Sequence, residues 1–200
     1  MNNGNEDENS QYTYNNSLAQ FYGMTLIDKE GFIPGIGNQK IRELVLYKSK
    51  DGENWEKSLP ILKIETGITP GNLFLTNKGN LILFYYSKDS SSSNNIKTNY
   101  KISEDNGLTW TQPKEFVLSK TNYQRLLAEN KKGDLYFLAD DNRIICKSED
   151  NGKTWITQPL AERPFIVDKF IDKNGIIHII TYSMHQPKTL TGYLKSVNPL

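Results

Sequence analysis

One short loop, written three times, sets the strongest limit on what this chain can become. Ser49-Lys50-Asp51-Gly52-Glu53-Asn54-Trp55, Ser103-Glu104-Asp105-Asn106-Gly107-Leu108-Thr109-Trp110 and Ser148-Glu149-Asp150-Asn151-Gly152-Lys153-Thr154-Trp155 align with one another, and they hold all three tryptophans of the protein. The indoles stand 55 and then 45 residues apart, the spacing of whole structural units rather than of single elements. Self-similarity at such a period marks a repeat architecture, in which each unit covers its neighbour's apolar face.

A second repeat runs out of phase with the first. Asp28-Lys29-Glu30-Gly31, Asn77-Lys78-Gly79-Asn80, Asn130-Lys131-Lys132-Gly133 and Asp172-Lys173-Asn174-Gly175 each read as a tight hairpin turn, with glycine supplying positive φ. Short β-branched and aromatic runs flank them, such as Leu73-Phe74-Leu75 with Leu81-Ile82-Leu83-Phe84-Tyr85-Tyr86, and Phe170-Ile171 with Ile176-Ile177-His178-Ile179-Ile180. Such runs are strands. No stretch sustains an apolar i, i+3, i+4, i+7 pattern, so little helix is expected. Each unit then reads strand A, glycine turn, strand B, loop, strand C, Ser-x-Asp loop, strand D, over about residues 18–62, 72–118, 123–160 and 165–200. Four-stranded antiparallel units repeated at ~40–50 residues predict an all-β fold, a β-propeller with about four blades' worth of chain over residues 11–200. Residues 1–10 carry no apolar side chain after Met1; they read as a solvated tail and lack the hydrophobic segment of a signal peptide.

Composition removes several functions. Lysine plus arginine number 24 against 23 aspartates and glutamates, a formal net charge of +1, so neither nucleic acid nor an anionic membrane is expected as the partner. No apolar run nears the ~18 residues that a membrane helix needs. The single cysteine, Cys146, excludes an internal disulfide and a cysteine-based zinc site, and His178 and His185 are the only histidines. No metal and no cofactor is expected. Asp-Asn-Gly suggests a calcium loop, but the alternating oxygen ligands of an EF-hand, ending in glutamate, are missing.

The three loops resemble the Asp-box, or bacterial neuraminidase repeat, of sialidase-like β-propellers, whose pattern is Ser/Thr-x-Asp-x-Gly-x-Thr-Trp. The second and third copies match at every fixed position; the first has one residue fewer between Asp51 and Gly52, and Asn54 in place of threonine. The residue types have a mechanical reading. The loop reverses the chain without a partner strand, so its N–H groups need side-chain acceptors. Asp105 and Asp150 are expected to accept from N–H groups one or two residues ahead, Ser103 and Ser148 to bond across the loop base, Gly107 and Gly152 to turn left-handed, and Trp110 and Trp155 to plug the loop, with Ser49, Asp51, Gly52 and Trp55 at the matching positions of the first loop. The resemblance implies that Asp-boxes lie on the face away from the ligand, so these twelve residues are structural.

The same strand order gathers the B–C loops (residues 35–39, 87–95, 140–142 and 183–188) and the D–A connections (65–71, 120–125 and 161–165) at the opposite end of every unit. Propellers bind at the mouth of the central channel, which makes Tyr123, Arg125, Asp140, Asp141, Arg163, Tyr182 and His185 the ligand-binding candidates. A sialidase resemblance implies three arginines on a substrate carboxylate, a tyrosine nucleophile with a glutamate partner, and an aspartate acid/base. Guanidinium forks grip carboxylates bidentately. Arg125 and Arg163 open strand A of units three and four, where they either aim at the channel or lie solvated on packed stems. Arg42 and Arg143, the other two arginines, fall near the starts of C strands, and Phe32-Ile33-Pro34 has no arginine where sialidases carry Arg-Ile-Pro. Asp140-Asp141 reads as a turn pair, since adjacent carboxylates point apart while glycoside hydrolysis needs two that converge. His178 reads as a packed strand residue, and His185, on a loop, is freer to bind. No catalytic residue is assigned.

Three functions remain in play. The first is a glycan- or protein-binding module without catalysis; the second is an exo-α-sialidase or part of one, although six blades need ~270 residues; the third is a structural assembly subunit. The fourth unit lacks strand D, an open blade edge prone to self-association. Gln11-Tyr12-Thr13-Tyr14-Asn15 alternates like a strand and is expected to fill that place, closing a ring of four blades. The resemblance further implies an extracytoplasmic or secreted protein.

Overall fold

A computed structural model of the chain describes residues 11–15, 20–33, 37–64, 67–88, 96–116, 125–139, 144–159, 165–171, 177–182 and 191–195. Every regular element among them is a strand, and every paired strand is antiparallel to its neighbour. The chain divides into two compact units, Met1–Glu115 and Phe116–Leu200.

In the first unit β1 (Gln11–Asn15), β2 (Gln20–Ile33), β3 (Gly37–Ser49) and β4 (Glu56–Ile64) form one sheet in chain order. β5 (Ile68–Leu75), β6 (Leu81–Lys88), β7 (Ile96–Ser103) and β8 (Lys114–Phe116) form the next, also in chain order, with Phe116 falling in the second unit. The two sheets meet along their first strands, β1 against β5. Between them Tyr22, Met24, Leu44, Leu46 and Ile61 pack on Leu73, Leu81 and Leu83, with Trp110 against the cluster. At ~1.5–3 kcal/mol for each fully buried side chain, this core is the main stabilising contact of the unit. It accounts for one face of β6, Leu81 and Leu83; Ile82, Phe84 and Tyr86 on the other face are buried as well, so the strand reads as a continuous apolar run rather than an alternation. Two polar bonds fix the sheets against each other. The Lys101 ammonium donates to the Ile61 carbonyl at 3.0 Å, and the Tyr22 hydroxyl donates to Asn106 Oδ1 at 3.1 Å.

In the second unit β9 (Arg125–Glu129), β10 (Leu135–Ala139), β11 (Ile144–Ser148) and β12 (Ile156–Pro159) repeat the four-strand order. β13 (Phe165–Ile171), β14 (Ile177–Tyr182) and β15 (Thr191–Lys195) make a three-stranded sheet, and β13 lies against β9. Trp155 sits edge-on to Phe137, with centroids 4.8 Å apart, and to Phe116 at 5.5 Å.

Two of the expected glycine turns are present. Gly79 N–H donates to the Thr76 carbonyl at 2.8 Å and Gly133 N–H to the Asn130 carbonyl at 2.9 Å, closing β5–β6 and β9–β10. Asn130 Oδ1 also accepts from the N–H groups of Lys132 and Asp134. The turn expected at residues 172–175 lies outside the described residues. The fourth corrects the sequence reading: Asp28-Lys29-Glu30-Gly31 is not a turn but a stretch of β2, paired in register with Arg42, Ile41, Lys40 and Gln39. One opposite-charge pair across the ladder favours it, Arg42 Nε donating to Asp28 Oδ1 at 2.8 Å. Residues 37–39, expected as loop, therefore belong to β3, and Arg42 is a mid-strand residue. Likewise residues 68–71, expected in a connection, begin β5.

A second correction concerns Gln11–Asn15. It is a strand, but it pairs with β2, Gln11 opposite Met24 and Asn15 opposite Gln20, and so becomes the first strand of the first sheet rather than the fourth strand of the last. Only four residues separate β1 from β2, so this local hairpin costs far less loop-closure entropy than pairing with the far end of the chain.

All three Ser-x-Asp loops join the third strand of a sheet to the fourth. In the second, Ser103 Oγ donates to Asp105 Oδ1 and accepts from Gly107 N–H, both at 2.8 Å. Asp105 also accepts from Thr109 N–H at 2.8 Å and from the Thr109 hydroxyl at 2.5 Å. Ser148, Asp150, Gly152 and Thr154 repeat the set at 2.6–2.8 Å. The aspartates therefore reach as far as four residues ahead, farther than the one or two expected. Asn106 and Asn151 are left-handed beside their glycines, at φ 58° and 63°. The first loop omits this residue and keeps only Gly52 at φ 81°. There Asn54 takes over from threonine, its backbone and side-chain N–H groups each donating to Asp51 at 2.8 Å. The indoles part company too: Trp55 Nε1 donates to the Gly52 carbonyl at 3.1 Å, whereas the buried Nε1 of Trp110 and of Trp155 meets no acceptor among the described residues.

Candidate functional site

Strand direction defines two ends in each sheet. The Ser-x-Asp loops and the turns at 77–79 and 131–133 occupy one end, and the starts of first and third strands with the ends of second strands occupy the other. Arg125 opens β9, paired in register with Leu138 near the end of β10. Tyr182 closes β14, flanked in register by Phe165, which opens β13, and Thr191, which opens β15. Arg125 thus lies, in its own sheet, at the end away from the Ser-x-Asp loop, and Tyr182 at the corresponding end of a sheet that has no such loop among the described residues. Tyr123, Asp140, Asp141, Arg163 and His185 lie outside the described residues.

In the first unit that end is closely built. Lys88 N–H donates to the Gly67 carbonyl at 2.7 Å, and a Cβ on Gly71 would stand 2.7 Å from the Phe84 carbonyl oxygen, where β5 bulges against β6. Asn99 Nδ2 donates to Ser87 Oγ at 2.8 Å.

The loop aspartates are chemically spent. Hydrogen bonds from the Thr109 hydroxyl and N–H hold the Asp105 carboxyl down at about 2. The Asn54 N–H and amide hold Asp51 well below the usual carboxylate range. For Asp150 burial pushes upward, but the bonds from Thr154 and Ser148 outweigh it and the net shift is downward. A general acid needs the reverse shift, so these carboxylates act as braces and not as proton donors. Cys146 is equally unsuited to chemistry, because burial pushes its thiol up to about 12. His178 is buried in β14, in keeping with a packed strand histidine. Among the described residues no group of three or more histidine, cysteine, aspartate or glutamate side chains is arranged to hold a metal.

The low carboxyl values have a consequence for acid stability. Each folded-state value lies below the ~3.9 of an unfolded aspartate, so the braces contribute fully above that pH and weaken as pH falls through the folded values. The melting temperature is expected to hold from pH 7 to about 5 and to fall steeply between about pH 4 and 2. Asp105→Asn should melt lower at pH 7 and show a shallower acid slope; an unchanged slope would remove the loops from the account.

An open groove of about 440 Å³, which the sequence reading missed, lies at the Ser-x-Asp end of the first unit, lined by Lys48, Glu56, Lys57, Leu59 and Leu108 among others. Leu59 and Leu108 are 79% and 65% exposed. Leu108 fills a variable position of its loop, and a lone leucine there carries no signal in the sequence. Among the described residues no helix is long and apolar enough to cross a membrane.

No family model and none of the curated proteins matches this chain. Solved structures do. A protein of unknown function from Dyadobacter fermentans DSM 18053 is 17% identical at a TM-score of 0.56, over 92% of this chain and 59% of that one. The NanB sialidase from Streptococcus pneumoniae is 9% identical at 0.57, over 95% and 49%. The intramolecular trans-sialidase from Ruminococcus gnavus is 8% identical at 0.55, over 95% and 68%. This chain spans about half to two thirds of the length of those chains. At such identities the likeness carries the fold: an all-β array of antiparallel sheets shared with sialidases.

Proposed function

We propose that the chain is a glycan-binding module on a sialidase-like propeller of about four blades, without catalytic activity, working outside the cytoplasm. The observation that carries this reading is the fold likeness to the NanB sialidase and the trans-sialidase over 95% of the chain. The side-by-side first strands, β1 with β5 and β9 with β13, support a radial arrangement, because blades converge on their innermost strands. The ligand site is the end away from the Ser-x-Asp loops, with Arg125 and Arg163 as carboxylate forks and Tyr123, Tyr182 and His185 as stacking and hydrogen-bonding groups. Asp140 and Asp141 supply hydrogen-bond acceptors to the ligand. The loop carboxylates do not compete for that role, being engaged in their own hydrogen bonds.

The test is binding first and turnover second. A glycan array is expected to show saturable binding to acidic glycans, lost in Arg125→Ala and in Tyr182→Ala. A fluorogenic sialoside should remain uncleaved at high protein concentration. Cleavage abolished by Arg125→Ala and Arg163→Ala would replace this reading with the exo-α-sialidase one, and an array without any hit would end both glycan readings.

A further inference from the structure

The second and third Ser-x-Asp loops each set an asparagine before their glycine, Asn106-Gly107 and Asn151-Gly152. An asparagine in this setting is prone to lose its side-chain amide, because a glycine nitrogen carries no Cβ neighbour that would hinder its approach to the asparagine Cγ. In that reaction the N–Cγ bond forms and the Cγ–Nδ2 bond breaks. The N–H proton departs with the amide nitrogen as ammonia, and a five-membered imide closes. Water then opens the imide at either carbonyl and leaves aspartate or isoaspartate, with no change of oxidation state. The first step needs a glycine N–H able to give up its proton and a peptide plane able to turn toward Cγ.

Both loops withhold both conditions. Gly107 N–H donates to Ser103 Oγ and Gly152 N–H to Ser148 Oγ, each at 2.8 Å. Each serine proton is already committed to Asp105 or Asp150, so the oxygen meets the glycine as an acceptor. Ser103 and Ser148 are buried, which shields these bonds from competing water. The peptide plane is pinned from both sides by left-handed residues, Asn106 at φ 58° with Gly107 at 80°, and Asn151 at 63° with Gly152 at 89°. The lock is the same in both loops, but access is not. Asn106 is exposed, whereas Asn151 is only 8% exposed, and both the base that starts the reaction and the water that ends it come from solvent. Asn106 has one further restraint: its Oδ1 accepts from the buried Tyr22 hydroxyl at 3.1 Å, which ties the carboxamide to the first sheet.

We infer that Asn106 is a deamidation site held shut by Ser103 and Tyr22, converting to aspartate or isoaspartate whenever the second loop opens locally, while Asn151 lags behind it. The isoaspartate product adds a carbon to the main chain between Ser103 and Gly107, so the brace that spans those two residues cannot re-form. The lesion falls where the second loop docks on the first sheet, with Gly107 standing over Leu46.

The test ages the full chain in mildly alkaline buffer as wild type, Ser103→Ala and Tyr22→Phe. Peptide mapping by mass spectrometry follows the amide-to-acid mass gain at Asn106 and at Asn151 separately, and a synthetic peptide of residues 103–110 supplies the unlocked rate. Asn106 in the wild-type chain is expected to convert at least about tenfold more slowly than in the peptide, yet faster than Asn151. Ser103→Ala should raise the rate at Asn106 about two- to tenfold and leave Asn151, behind its own serine, at the wild-type rate. Tyr22→Phe keeps the ring in the core, should raise the rate at Asn106 by a smaller factor, and decides the matter if Ser103→Ala does not fold. Wild-type conversion at the peptide's rate, Asn151 outpacing Asn106, or an unchanged rate at Asn106 in the folded variants would overturn the assignment.

Discussion

Trp155→Ala is expected to lower the unfolding free energy by about 3–5 kcal/mol. Its ring is held edge-on by two aromatic neighbours, Phe137 and Phe116, at interplanar angles of 74° and 79°. T-shaped pairs add ~0.5–1.5 kcal/mol to the burial of each ring, and truncation leaves a cavity between residues that cannot follow. Phe137 and Phe116 are both buried, so neither has room to swing into the gap. Ile156, the next residue, is 66% exposed, and Ile156→Ala should cost no more than ~0.5 kcal/mol. Urea titration of the two variants separates the cases: the midpoint should drop sharply for the first and barely for the second, with the slope unchanged. Equal midpoints would mean that the indole is not a plug.

That indole was visible in the sequence because its loop repeats, and repetition is what made most of the fold readable. Ser148, Asp150, Gly152 and Trp155 could each be given a part from residue chemistry alone, and the hydrogen bonds follow those parts. Asn106 and Asn151 were passed over, although asparagine is the non-glycine residue that best tolerates left-handed φ. Misreadings came where local signals compete with register. Asp28-Lys29-Glu30-Gly31 has the composition of a turn, and only its register with residues 39–42 makes it a strand, with Asp28 the cross-strand partner of Arg42. Gln11–Asn15 declared itself a strand by alternation, but alternation does not name a partner. The ligand end was legible as a set of loops and not as a site. Arg125 and Tyr182 occupy strand ends as expected, yet side-chain convergence depends on how sheets are disposed, which no spacing in one chain encodes.

Glycine variants in two of the loops are expected to differ in a way that isolates packing from backbone strain. Gly107 and Gly52 sit at nearly the same left-handed φ, 80° and 81°, so alanine at either should cost ~1–2 kcal/mol for conformation alone. Their surroundings are unlike. A Cβ on Gly52 would lie 3.6 Å from the Phe21 ring, an ordinary contact. A Cβ on Gly107 would lie 2.2 Å from Leu46 Cδ2 and 3.4 Å from Leu81 Cδ1. A surface leucine would swing aside, but Leu46 and Leu81 are fully buried in the core between the first two sheets. Overpacking there adds ~1–3 kcal/mol, giving a total of about 2–5 kcal/mol for Gly107→Ala against ~1–2 for Gly52→Ala. The pair of variants also tests the docking of the sheets. A Leu46→Ala background opens the space that the new methyl needs, so Gly107→Ala made there should cost no more than Gly52→Ala. If the penalty at Gly107 survives the loss of Leu46, the second loop does not sit on the first sheet's core.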